Sequence, residues 1–212
     1  MKRLTFLTGM LVMFFLMAGM GQNALAADEP IKVLQKPINE VMRILQDPAY
    51  QDASKKDEQR EIIWKIIKDL FDFEKISQLT LGKYRKSFSP EQMKEFTDLF
   101  TDLLGNTYLG RMQGEFQNEK VQYLEQKIGG SKSDKAQVST ILARKGAEIP
   151  VDYKMWLNNG QWRIYDVSVE KVSLVRNYRD QFNKVLAGHS PDYLINELKQ
   201  KNESKANAES GS

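Results

Sequence analysis

The amino-acid sequence predicts an α+β fold: an antiparallel four-stranded meander, curved, wrapped by about six helices, with an apolar cavity between sheet and helices. Three observations carry this. Residues 37–112 repeat apolar side chains at helical spacing, residues 121–169 read as strands cut by three tight turns, and helical spacing returns after 173. Helices, then hairpin-linked strands, then helices is the order of an α+β layer arrangement. No internal repeat is evident.

At the N-terminus, Lys2 and Arg3 precede an apolar run from Leu4 to Ala18, and Ala24-Leu25-Ala26 offers small residues for cleavage. This is the pattern of a secretory signal peptide over 1–26. The run stops at Gly21-Gln22-Asn23, short of the ~20 apolar residues a membrane span needs. With the signal removed, 29 basic and 28 acidic residues remain. That balance argues against nucleic acid, which normally leaves a basic footprint, and against permanent electrostatic attachment to anionic membranes. There is no Cys, so no disulfide or acylated Cys anchors the exported chain, and stability rests on its core. A single domain is expected over 27–200, with a disordered polar tail over 201–212.

The first helix is expected over 37–46, with Pro37 at its start, Ile38, Val41, Met42 and Leu45 on one side, and Pro48 beyond its end. A second, over 56–71, buries Ile63, Ile66, Ile67 and Leu70. Asp72 can cap a short third helix carrying Phe73, Ile76 and Leu79, which Gly82 ends. Ser89-Pro90-Glu91-Gln92 combines an N-cap Ser, Pro at the first helical position and Gln three residues on. The helix it opens runs to near Met112 and carries Phe96, Leu99, Phe100, Leu103, Leu104 and Tyr108.

Strands follow over 121–128, 135–144, 149–158 and 161–169, joined by Gly129-Gly130-Ser131, Lys145-Gly146 and Asn159-Gly160. Asn159-Gly160 is the strongest hairpin signal, because a type I′ turn needs positive φ at both central residues. It pairs Leu157 with Trp162, Met155 with Ile164, Tyr153 with Asp166 and Val151 with Ser168 on a mostly apolar face. Trp156 with Arg163, Lys154 with Tyr165 and Asp152 with Val167 share the other. A turn at Asn158-Asn159 would leave the same faces. Trp156 beside Arg163 reads either as a surface cation–π pair or as part of a docking patch. Ser173 then caps a helix carrying Leu174, Tyr178, Phe182, Val185 and Leu186, with Gly188 as its left-handed end, and Ser190-Pro191-Asp192 opens the last helix.

The run Val151-Asp152-Tyr153, Gly160-Gln161-Trp162, Tyr165-Asp166-Val167, Glu170, Val172-Ser173-Leu174-Val175 and Asn177-Tyr178-Arg179-Asp180-Gln181-Phe182 resembles the MlaC, or toluene-tolerance auxiliary, family. The likeness is looser around Phe71-Asp72-Phe73, Leu81-Gly82, Ser89-Pro90-Glu91-Gln92 and Tyr108, and spans roughly 60–200. One departure is Lys171, which stands where the family usually has Gly, in the turn between strand and helix. The resemblance implies a periplasmic phospholipid carrier of an ABC-type lipid transport system. Such a carrier shuttles lipid between an outer-membrane lipoprotein–porin complex and an inner-membrane substrate-binding ring, and so maintains outer-membrane lipid asymmetry. It works as a monomer with lipid as cargo and no cofactor.

On this reading the sheet contributes Val151, Tyr153, Met155 and Ile164 to the acyl chains. Phe96, Leu99, Leu103 and Tyr108 form a helical wall, with Val175 and Phe182 from the later helix. Stripes of this kind are also what an ordinary core looks like.

Catalytic and metal chemistry find little support. The lone His189 sits between Gly188 and Ser190 without other His or Cys for company. Asp166 and Glu170, four apart on a strand, would lie roughly 13 Å apart, beyond the ~5–9.5 Å of paired glycosidase carboxylates. Asp166 reads as a structural acceptor for Tyr153 or nearby backbone. Its rival role is proton carrier of an enzyme in a cone-shaped α+β fold; a chaperone or scaffold with a peptide groove is a third possibility.

Overall fold

The computed structural model of the protein describes residues 28–210, with side chains to residue 205. The proposed signal peptide at 1–26 lies outside the described residues. Six α-helices and an antiparallel sheet follow in the expected order. Helix α1 spans Pro30–Gln46, α2 Lys56–Leu70, α3 Phe73–Leu81 and α4 Pro90–Gly114. Strands β1 Lys120–Gly129, β2 Lys135–Arg144, β3 Ala147–Asn158 and β4 Gln161–Val169 form the meander. A two-residue β5, Val172–Ser173, adds a fifth member before α5 Leu174–Leu186 and α6 Pro191–Ser210.

Local chemistry sets most boundaries. Asp72 Oδ1 accepts the Lys75 N–H at 2.8 Å to open α3, and Gly82 leaves it at φ 53°. Ser89 Oγ accepts the Gln92 N–H at 3.1 Å while the Ser89 N–H donates to Gln92 Oε1 at 3.0 Å, closing both halves of a capping box on α4. Asn159 and Gly160 both take positive φ, 48° and 78°, as a type I′ turn requires.

Four expectations need correction. First, α1 starts at Pro30, and Pro37 lies inside it. Pro37 forfeits one helix hydrogen bond, but the preceding turns bury Leu34 completely against Val138, Met155 and Ile164. Tertiary burial overrides the local break. Second, α5 ends without a left-handed residue: Ala187 stays right-handed at φ −68°, and the Gly188 N–H donates to Val185 O at 3.2 Å in a tightened last turn. Third, α6 runs on to Ser210, well past Leu198, the last residue of its expected apolar stripe. Asn202 Nδ2 donates to Leu99 O at 2.9 Å and Lys205 Nζ to Thr107 Oγ1 at 2.6 Å, tying the polar stretch to α4.

The fourth concerns register. Met155–Ile164, Trp156–Arg163 and Leu157–Trp162 pair as the turn dictates, but Tyr165 is then an extra residue in a β-bulge. Beyond it Lys154 pairs with Asp166, Tyr153 with Val167, Asp152 with Ser168 and Val151 with Val169. Tyr153 therefore does not face Asp166, which turns to the opposite side of the sheet. A second bulge interrupts β1 between Tyr123 and Glu125.

Three apolar clusters hold the layers together. The largest joins α3 to α6 around Phe96, Phe100, Tyr178 and Phe182, whose rings stack and cross at 4.8–5.7 Å between centroids. The second packs α1 and the end of α2 on the inner sheet face through Leu34, Leu70, Ala136, Val138, Met155, Trp162 and Ile164. The third knits α1, α2 and α4 through Ile44, Leu45, Ile63 and Leu109. At the β4 edge, Phe71 bridges to Ile164, the Asp72 N–H donates to Ile164 O at 2.8 Å, and Trp156 Nε1 donates to Asp72 Oδ2 at 2.9 Å. The Trp156 ring takes its cation from Lys75 Nζ, 4.5 Å from the centroid, and Arg163 instead donates to Phe71 O at 2.8 Å.

Candidate functional site

Between the second and third clusters the layers do not close. A cavity of about 500 Å³ is left there, within the ~300–1,000 Å³ typical of small-molecule sites. Its roof is α1, through Pro37, Ile38, Val41, Met42 and Leu45; α2 adds Ile66, Ile67 and Leu70, with Phe71 just beyond its end. Tyr108 and Met112 come from the last turns of α4, with Phe116 after it. Val121, Leu142, Ile149, Tyr153 and Val169 present the inner face of the sheet. These strand residues share one face because Leu142 pairs with Val121 and Ile149, and the bulge turns Val169 toward Val151. Tyr108 and Val169 are 39% and 45% exposed, so the cavity meets solvent beside them.

The polar lining is confined to one end, where Arg111, Glu115, Glu119 and Arg144 converge. Glu119 is buried and accepts from Arg144 Nε at 2.6 Å and from the Gln117 N–H at 2.8 Å. Burial alone would raise its pKa, but these hydrogen bonds outweigh it and hold the carboxyl below the usual glutamate value. Arg144 Nη2 also donates to Glu115 O at 2.5 Å, which fastens the chain leaving α4 to the sheet. Burial pushes the Tyr153 phenol up to about 12, against a smaller opposing pull from the Thr140 hydroxyl. Burial, with Tyr108 beside it, also raises Tyr178.

Of the ten residues expected to line a site, Tyr108 and Tyr153 border this cavity. Phe96, Leu103, Val175 and Phe182 are buried in the α3–α6 cluster, with Leu99 packed on its flank. Met155 and Ile164, both 0% exposed, lie in the solid cluster under α1. Val151 is buried on the inner face between Thr140 and Val169, outside the cavity lining. The residues that do line it on α1 and α2 were legible only as apolar stripes. Spacing tells which side of a helix is apolar, not whether that side meets atoms or space.

Asp166, on which an enzymatic reading would depend, accepts from Ser173 Oγ at 2.8 Å, the Val175 N–H at 3.1 Å and Lys154 Nζ at 3.2 Å. It caps the entry to α5 and is absent from the cavity lining. His189 stacks on Tyr193 with centroids 3.9 Å apart. Among the described residues no three His, Cys, Asp or Glu are grouped to hold a metal ion.

An α+β fold with an apolar hollow opening between its curved sheet and its helices has the form of a binding protein for an apolar or amphipathic ligand. The family model for the MlaC protein matches residues 35–200, and the chain belongs to the MlaC family. It is similar to the intermembrane phospholipid transport system binding protein MlaC of Haemophilus influenzae, with 26% identity over 204 residues, 94% of this chain and 92% of that one. It is also similar to the toluene tolerance protein ttg2D of Pseudomonas putida, with 25% identity, covering 84% and 82% of the two chains. Among solved structures, the phospholipid-binding protein from Ralstonia solanacearum in complex with a phospholipid shares the fold. The TM-score is 0.72 at 21% identity, over 84% of this chain and 99% of that one.

Proposed function

We propose that this protein carries phospholipid through the periplasm with the acyl chains held in the cavity between α1, α2, the end of α4 and the sheet. The observation that carries the reading is the cavity itself, an almost wholly apolar space of about 500 Å³ with its polar groups gathered at one end. Each CH₂ kept from water is worth about 0.8 kcal/mol, so tails in the hollow and headgroup at the polar end is the arrangement of least cost. Membership in the MlaC family and the names of its relatives support the cargo. The partners in this reading are an outer-membrane lipoprotein–porin complex and an inner-membrane substrate-binding ring. Direction comes from them and their ATPase, because a passive pocket only equilibrates. No catalysis by the chain is required.

Solvent extraction of the purified protein followed by mass spectrometry tests the proposal. Leu142 and Ile149 are cross-strand partners that line the cavity, are half-buried and belong to none of the packed clusters. Leu142→Asp and Ile149→Asp are therefore expected to retain the fold and lose the bound phospholipid. Native lipid levels in both folded variants would refute the placement, and a wild-type protein yielding no lipid would refute the carrier itself.

A further inference from the structure

Of the four charged residues at the polar end, two are already satisfied by each other: Arg144 and the buried Glu119, 2.6 Å apart. The other two, Arg111 and Glu115, stand one turn apart at the end of α4, both exposed and both on the cavity lining. A spacing of four residues usually lets opposite charges pair. Yet among the described residues these two side chains form no ion pair with each other or with anything else. Tyr108, at the mouth, precedes Arg111 by three residues on the same helical face. One open cation and one open anion thus lie side by side at the mouth, about 6 Å apart along the helix axis.

We propose that Arg111 and Glu115 form a headgroup site for zwitterionic phospholipid, a phosphodiester joined by a short linker to a primary ammonium. This rests on the carrier reading above. The Arg111 guanidinium takes the phosphate oxygens, for which its planar donors are suited. The Glu115 carboxylate accepts from the ammonium. An anionic lipid with an uncharged glycerol headgroup satisfies Arg111 but leaves Glu115 facing the phosphate, so the same carboxylate that attracts one class disfavours the other. The Arg144–Glu119 pair adds no net charge, so the rim as a whole is neutral, matching a neutral headgroup.

The test is competitive loading. Delipidated protein is incubated with vesicles of equimolar phosphatidylethanolamine and phosphatidylglycerol, re-isolated, and the bound lipids are quantified by mass spectrometry. Wild type is expected to be enriched in phosphatidylethanolamine over the vesicle ratio. Glu115→Gln should lower that ratio, and Arg111→Gln should raise it, each by roughly two- to five-fold, the scale of an exposed charge contact. Opposite movement is the signature, because loss of fold or of general affinity would move both lipids together. A ratio equal to that of the vesicles in wild type, or one that is unchanged or moves the same way in both variants, overturns the headgroup site while leaving the carrier standing. Failure of wild type to take up either lipid overturns both.

Discussion

Tyr153 and Met155, two residues apart on β3, point to the same face of the sheet and into different surroundings. Met155 is fully buried against the underside of α1, whereas Tyr153 borders the open cavity. The boundary between solid core and hollow therefore runs across a single strand between neighbours on one face.

Stability should report this boundary. Met155→Ala is expected to cost about 2–5 kcal/mol, the loss typical of a large buried side chain in a close-packed site. Leu142→Ala, facing space already unfilled, should cost about 1 kcal/mol or less. Urea unfolding midpoints for the two variants check this, and equal losses would mean the hollow is packed in solution.

The β4–β5 turn carries local strain. Glu170 and Lys171 both take positive φ, at 48° and 68°, in a two-residue connection that pairs Val169 with Val172. Glycine adopts this region without its Cβ meeting the backbone, while other residues do so at a cost. Lys171→Gly is expected to raise stability by about 0.5–1 kcal/mol, despite the usual entropic penalty of glycine. A fall in melting temperature would show that the Lys171 side chain contributes more than its backbone costs.

Gly105 lets α2 and α4 approach. A Cβ there would stand 3.1 Å from the Trp64 ring, which also packs on Phe73 at 5.4 Å between centroids. Gly105→Leu should destabilise by about 1–3 kcal/mol through overpacking, and the loss should shrink in a Trp64→Ala background, where the ring is gone. Additive effects in the double-mutant cycle would contradict the contact.

Alkaline pH should weaken the fold through Tyr153. Its phenol titrates near 12 in the folded protein against an ordinary value of 10.0. Between these values the unfolded chain sheds a proton that the folded chain keeps, so this group's contribution is whole below about pH 10 and lost as pH rises through 12. Tyr153→Phe should flatten part of that decline in a pH series of unfolding free energies. An unchanged slope would place the loss on other groups.

Much of this fold was legible in residues. Ser89-Pro90-Glu91-Gln92 and Asp72 announce their helices because a cap is a bond between near neighbours. Asn159-Gly160 announces its turn because the required φ values suit those residue types. Pro37 misled for the same local reason: its ring speaks against helix, while the burial of Leu34 that outweighs it comes from strands a hundred residues away. The bulge at Tyr165 had no signature in the alternation of β3 and β4, yet it separates Asp166 from Tyr153 and brings Val169 to the cavity.

What the chain's own order of residues determined is which elements form, where most of them begin, and which side of each is apolar, since these follow from bonds and spacings within a few residues. What only the tertiary structure decided is where the apolar sides meet and where they stay apart. Phe96 closes on Phe182, and Met155 on Leu34 in a separate cluster, while Leu142 and Ile149 belong to no cluster and face the cavity. That difference depends on the separation between layers, set by distant contacts such as Leu34 on Val138 and Arg144 on Glu119. Hydrophobic burial has no direction, so a stripe of apolar residues is written the same way whether it faces a neighbour or an empty space.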